Sequence, residues 1–155
     1  MLNMTNARAA RVGLTMLALA VTAAVPRAAE AADPCAMFAP SDIGHALHAS
    51  ATKTRAHQMP NGYYGCSYRA GAKIVSITVQ RFASSGDADA NLTIDAGKVA
   101  AFSNGAAVAV AGVRDRALRV GNEVWVRRGS GLASVIVFGR SALDDAIAVA
   151  KIAKP

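Results

Sequence analysis

The sequence predicts an α+β domain. It reads as a twisted antiparallel sheet of about five strands with helices packed on it, in the order α-β-β-α-β-β-β-α. Three observations predict this. Lys73 to Phe82 alternates, with Val75, Ile77 and Val79 on one face and Ser76, Thr78 and Gln80 on the other, the pattern of a half-buried strand. Ala70-Gly71-Ala72, Gly121-Asn122 and Gly129-Ser130-Gly131 separate the strand candidates, and strands joined by tight turns run antiparallel. Stripes of apolar residues at helical spacing precede, divide and follow these strands.

Taken in order, Asp33 to Phe38 reads as a short turn or one-turn helix anchored by Met37 and Phe38. Pro40-Ser41-Asp42 starts the first helix, with Ser41 as its cap and Asp42 at the positive end of its dipole. Ile43, Ala46, Leu47 and Ser50 fall at helical spacing, and Ile43 and Leu47 face the core. Gly44 weakens this helix by about 1 kcal/mol relative to alanine. Thr52 to Met59 is polar and basic without a period and reads as a loop; Pro60-Asn61-Gly62 is a turn. Tyr64, Cys66 and Tyr68 point to one side of the first strand, and Tyr63, Gly65 and Ser67 to the other.

Ser84-Ser85-Gly86-Asp87 caps a second helix running to about Phe102, with Leu92, Ala96, Val99 and Phe102 as its buried stripe and Gly97 as an interruption. Asn104-Gly105 ends it, and Ala106 to Ala111 is a short apolar link. Arg116–Val120 and Glu123–Arg128 form a hairpin around Gly121-Asn122, a glycine-first pair suited to a type II′ turn. That turn pairs Leu118 with Trp125 and Ala117 with Val126, and the apolar character of both faces predicts cover on both sides. Leu132 to Phe138 is the most hydrophobic strand and is placed centrally. Ser141 caps the last helix. Asp144 and Asp145 lie in its first turn and Lys151 and Lys154 at its end, complementing the dipole. Leu143, Ala146, Ile147 and Ala150 make its inward stripe.

The first 31 residues are predicted to lie outside this domain, which takes residues 32–155. Arg8 and Arg11 precede the apolar run Val12 to Val25, Pro26 breaks it, and Ala28-Ala29-Glu30-Ala31-Ala32 offers small residues for cleavage. This is the pattern of a secretory signal peptide, cut after Ala31, with Ala29 and Ala32 as alternatives. The run is shorter than the 20 or so apolar residues a membrane span needs, so no stable span is expected after cleavage. Proline before Cys35 argues against lipid attachment, and Arg8 and Arg11 are not adjacent, so twin-arginine export is not signalled. Export implies a periplasmic or secreted protein in an oxidising compartment, where disulfides persist. The chain has two cysteines, Cys35 and Cys66, which allow one bridge with no thiol left over. The net charge of +7 falls when the leader goes but stays positive. An exported basic domain points to an envelope protein or an anionic polymer rather than nucleic acid.

Asp33-Pro34-Cys35-Ala36-Met37-Phe38-Ala39-Pro40-Ser41-Asp42-Ile43, Gly65-Cys66-Ser67-Tyr68, Gly112-Val113-Arg114-Asp115-Arg116-Ala117 and the closing strand and alanine-rich helix together resemble small exported bacterial proteins and lipoproteins of unknown function. The resemblance covers nearly all of the chain after the leader. It implies a small Mog1- and PsbP-like α/β sandwich in which an early cysteine pairs with one in the first strand, and it brings no catalytic residues. The lipidation site common in such proteins is missing, which implies a free protein. Arg114 stands where their pattern has glycine.

Three groups of residues are candidates for function. Arg114, Arg116, Arg119, Arg127 and Arg128, with Arg140 beyond, crowd the later strands; projecting together, they would form a basic rim for an anionic partner, with Asp115 able to pair across to Arg128. Tyr63, Tyr64, Tyr68 and Trp125 could line a ligand site, Tyr64 and Trp125 foremost, or serve as packing. His45 and His48, three apart on a helix, share a face, and with His57 they could hold a metal. No G-x-S-x-G or H-E-x-x-H occurs, and Asp144 and Asp145 read as helix-start charges. The function expected is a non-enzymatic exported domain, without cofactor, that binds an envelope partner or ligand. A small metal-dependent hydrolase using the three histidines is the alternative, and an inhibitor of another exported enzyme is a third.

Overall fold

Alternating valine, isoleucine and tyrosine build the middle of the sheet. β2 (Tyr64–Ala70) and β3 (Lys73–Arg81) form a hairpin, and β3 pairs with β7 (Gly131–Phe138). β5 (Arg116–Val120) and β6 (Glu123–Arg128) form the second hairpin, and β6 lies on the other side of β7. The computed structural model describes residues 33–113 and 115–155; the predicted leader, with its cleavage site, and Arg114 lie outside them. With β1 (Ala51–Gln58) and β4 (Val108–Ala109) at the edges, seven strands form one antiparallel open sheet in the order β1-β2-β3-β7-β6-β5-β4. β7 is the central strand, as its sequence predicts. The cross-strand pairs Leu118 with Trp125 and Ala117 with Val126 are both present.

The predicted α+β class is therefore observed, and the expected count of about five strands is extended: among the described residues there are seven, arranged α-β-β-β-α-β-β-β-β-α. Thr52–Met59 was expected to be a loop, yet most of it is β1. Nearly every residue of β1 is exposed, so neither face carries the apolar alternation that marks a strand. Its pairing with β2, not its own pattern, holds it extended. The Ala106–Ala111 link contains β4, two residues paired to β5.

Among the described residues, three helices and a short turn cover the sheet. A 3₁₀ turn (Pro34–Met37), α1 (Pro40–Leu47) and α3 (Ala142–Lys151) lie on the back, and α2 (Ser85–Phe102) on the front. α1 has Pro40 at its first position and Ala39 as its cap, with no side-chain bond, so Ser41 does not cap it as expected; proline's fixed φ starts the helix instead. Gly44 of α1 has a positive reason to be glycine. A Cβ there would stand 2.8 Å from the Ala49 carbonyl oxygen, where the chain leaving α1 folds back over it. α2 is capped by Ser84, whose hydroxyl accepts the Asp87 N–H at 3.1 Å, and it runs unbroken through Gly97. Ser141 does stand at the start of α3, but its side chain makes no capping bond.

The back core gathers Val75, Ile77 and Val79 of β3 with Val124, Val126, Val135 and Val137, under Met37, Phe38, Ile43 and Leu47. Cys35 and Cys66 are disulfide-bonded and buried in it. Tyr68, fully buried beside them, donates its hydroxyl to the Phe38 carbonyl at 2.9 Å and lies 3.3 Å from that of Cys35. The front core is smaller. Leu92, Ala96 and Ala100 of α2 lie on Val120, Trp125 and Leu132. The stripe expected to include Phe102 ends instead at Ala100, and Phe102 is 97% exposed. Alanines at 88, 96 and 100 let α2 settle closely over Trp125, and that phase turns Phe102 to a flank.

Replacing both cysteines, Cys35→Ser with Cys66→Ser, should lower stability by about 3–4 kcal/mol, the chain-entropy value for closing a loop of this 31-residue separation. Urea unfolding measures it. A loss under about 1 kcal/mol would mean the hydroxyl and backbone bonds alone hold the turn.

Candidate functional site

Strand alternation separates the candidate arginines. Arg116 and Arg127 are cross-strand partners on the front face, and Arg119 is partnered with buried Val124 on the back. The Arg116 guanidinium donates to Asp89 of α2 at 2.8 Å and to the Thr93 hydroxyl at 3.1 Å; Arg127 donates to the same Asp89 at 3.2 Å. Arg128, on the back, donates to the Ala153 carbonyl at 2.8 Å. Asp115 stands 3.6 Å from Arg128, as its sequence position suggests, and 3.7 Å from Arg127. Arg140 is exposed in the loop before α3. These arginines are thus dealt to two faces and largely engaged within the fold, and they do not form one rim.

The aromatic candidates also divide. Trp125 is 8% exposed within the front core, whereas Tyr64 packs against the back core. The histidines are spread as well. His45 and His48 border a broad open hollow of about 580 Å³ beside α1, together with Pro40, Ser41 and Ala51. His57 lies six residues along β1 from Ala51, about 20 Å away, with its ring across Gly65, where an added Cβ would come within 2.5 Å. Among the described residues, no three His, Cys, Asp or Glu side chains are grouped to hold a metal.

A different site emerges from the sheet itself. On the back, α1, α3 and the 3₁₀ turn span the sheet. On the front, α2 packs on β5, β6 and β7, and the front of β1, β2 and β3 has no helix over it among the described residues. The register defines what this open half carries. Arg55 stands opposite Ser67, His57 opposite Gly65, and Thr52 opposite Arg69. Beside them run Ile74, Ser76 and Thr78 of β3, then Ile136 and Phe138 of β7. Ile74 and Phe138 are direct partners, 45% and 56% exposed.

α2 forms the wall of this open half. Asp95, nearly buried, accepts the Tyr63 hydroxyl at 2.8 Å, and Lys98 lies 3.3 Å from it. Tyr63 leads into β2, so the Asp95 flank of α2 faces the open strands. Phe102 lies seven residues on, two helical turns, and shares that flank. Val120 packs with Ala100 in the front core and is level, through Glu123, with Ile136. The end of α2 therefore lies at the Ile136–Phe138 end of the sheet. There Lys98, Val99, Phe102 and Ser103 line an apolar hollow of about 320 Å³. The open half thus forms a trough beside α2, with Ile74, and Ile136 and Phe138 of the adjoining β7, in its floor, the exposed Phe102 on the bordering helix flank, and Tyr63 bonded to Asp95 toward its other end.

Its charge is one-sided. Arg55 and Arg69 are exposed and, among the described residues, make no ion pair or side-chain hydrogen bond. The acids nearby are occupied: Asp95 by Tyr63 and Lys98, and Glu123 by the buried Ser134, whose hydroxyl donates to it.

Burial, and then the bond to Asp95, push the Tyr63 phenol up to about 12; burial, and then the Asp33 charge, push Tyr68 up to about 12. In both, the folded state favours the neutral phenol. Their contribution is complete below the ordinary value near 10 and is lost as pH rises through about 12. Tyr63→Phe should therefore flatten the alkaline loss of stability between those values, read from urea midpoints along a pH series. An unchanged slope would mean that the Tyr63 phenol is not held buried against Asp95.

One signal for this site stands in the sequence: Ile74 falls on the polar face of an otherwise well-sorted strand. Compared with protein families, with curated proteins and with solved structures, the chain matches none.

Proposed function

We propose that this chain is an exported, non-enzymatic domain that binds a partner of the cell envelope through the open half of its front sheet face. One observation carries the reading: Ile74 and Phe138, direct cross-strand partners on the open half-face, are 45% and 56% exposed, and Phe102, 97% exposed, stands at the end of the helix that borders it. Clustered exposed apolar side chains mark interaction surfaces. The groups with shifted acidity support the non-enzymatic part. Asp33, held below the usual carboxylate range by the Lys53 ammonium, caps the 3₁₀ turn; Tyr68 sits in the core; Tyr63 ties β2 to α2. Each shift belongs to a bond that holds the fold. Export is supported by the basic and apolar leader sequence and by a disulfide compatible with an oxidising compartment. No helix among the described residues is long and apolar enough to cross a membrane. The Mog1- and PsbP-like kinship, which rests on the sequence resemblance, belongs to the same proposal.

Magnitudes limit what the apolar residues do alone. Full burial of such a side chain contributes about 1.5–3 kcal/mol, whereas association costs roughly 4–15 kcal/mol in lost freedom. A partner must therefore gain polar contacts as well.

The mature chain, immobilised and exposed to envelope extract, should retain a protein that Phe102→Ser with Phe138→Ser does not. Both side chains are exposed, so the double variant should unfold within about 1 kcal/mol of the native chain. Equal retention by both chains, or retention by neither, would overturn the reading.

A further inference from the structure

The open half-face has the width of one α-helix. Strands lie about 4.8 Å apart, so the distance from β1 to β3 is about 10 Å, the diameter of a helix with its side chains. α2 shows how a helix sits on this sheet. Its apolar stripe of Leu92, Ala96 and Ala100 lies on the strands, and its Asp89 carboxylate reaches Arg116 and Arg127, which rise from the same face. The open half repeats that arrangement without the helix. Ile74 of β3 and, on the adjoining β7, Ile136 and Phe138 offer the apolar part of the floor, Ser67, Ser76 and Thr78 its polar part, and Arg55 and Arg69 rise beside it with no carboxylate paired to them among the described residues.

We propose that the occupant is an amphipathic α-helix of a partner protein, laid beside α2. Its apolar stripe packs on Ile74, Ile136 and Phe138 against Phe102, and its Asp or Glu side chains pair with Arg55 and Arg69. The inference rests on the open half-face being the binding site. A helix suits the floor because its backbone groups are bonded within itself. The peptide groups of β2 and β3 are already paired on both sides, so an extended peptide on this face would leave its own unmet. Paired arginines of one sign select carboxylates on the flank that faces them.

The test places the photoreactive residue p-benzoylphenylalanine at position 138 of the mature chain, irradiates it in envelope extract and sequences the attached segment. The expected segment has apolar residues at spacings of three and four with Asp or Glu beside them. As a synthetic peptide it becomes helical on binding, by circular dichroism. Arg55→Glu with Arg69→Glu should weaken that peptide by about tenfold, from two lost partly exposed pairs, with the melting temperature unchanged. Attachment to lipid, to a second copy of this chain or to a non-helical segment overturns the helix, as does a peptide indifferent to the arginine reversal or binding to phosphatidylglycerol vesicles in its place. In those cases position 138 still reports an occupied site. A chain that retains a partner without attachment at position 138 shows that the site lies elsewhere, and retention of no partner overturns both readings.

Discussion

The back of the sheet depends on a segment too short to hold itself. The 3₁₀ turn Pro34–Met37 has four residues, and a single turn is unfavourable alone. It is fixed from several directions. The disulfide ties Cys35 to β2; the Asp33 carboxylate accepts the Cys35 N–H at 2.9 Å; Tyr68 donates to the Phe38 carbonyl; and the Lys154 N–H donates to the Met37 carbonyl at 2.9 Å. So held, Met37 reaches the central strand, where its sulfur would lie 3.0 Å from a Cβ at Gly131. Residues near both ends of the domain meet over the sheet. That closure lets Ile43 and Leu47 of a short helix count as core.

The front is organised by a different economy. α2 is long but presents alanines, so it lies low on Trp125 and Leu132 and buries little of its own bulk. Its lateral position comes from polar side chains. Asp89 is drawn to Arg116 and Arg127 on one flank, and Asp95 meets Tyr63 on the other. Ion pairs as exposed as those of Asp89 add about 0–1 kcal/mol each, so their effect is placement more than stability. They keep α2 over β5, β6 and β7. The same placement leaves β1 to β3 bare and puts Phe102 at the border of the bare region. Two of the arginines that look in sequence like a docking rim, Arg116 and Arg127, are in the fold what steers α2.

Legibility followed burial. β3, β7 and the β5–β6 hairpin bury at least one face, so alternation and turn residues marked them, down to the pairing of Leu118 with Trp125. The Ser84 cap was legible because an N-cap is a local bond. β1 was not, because an edge strand exposed on both faces carries no period and borrows its shape from β2. Phe102 was misplaced because Leu92, Ala96 and Val99 fit two helical phases; the one chosen by close alanine contact turns the phenylalanine outward. Arginine density along the chain said nothing about faces, since alternation sends Arg116 and Arg119 to opposite sides. The trough depends on how far α2 extends across the sheet, which is a tertiary outcome. Only Ile74, out of place on a polar face, hinted at it.

Why the face rather than the edge should carry a contact follows from the two outer strands. An open sheet presents unpaired backbone groups at its edges and must discourage neighbours from adding strands. β1 does so with Lys53 and Arg55, exposed on opposite sides, and with an irregularity in register between them. β4 does so by being two residues long. Both edges are thus blunted by charge, irregularity or brevity, the devices by which sheets avoid unwanted pairing. On the open front half, by contrast, Ile74 and Phe138 stand exposed as partners beside Arg55 and Arg69, and α2 borders them with Phe102 exposed near its end. A chain that guards its edges while leaving apolar side chains together on one face directs association to that face. The side chains there, unlike backbone groups at an edge, can distinguish one partner from another.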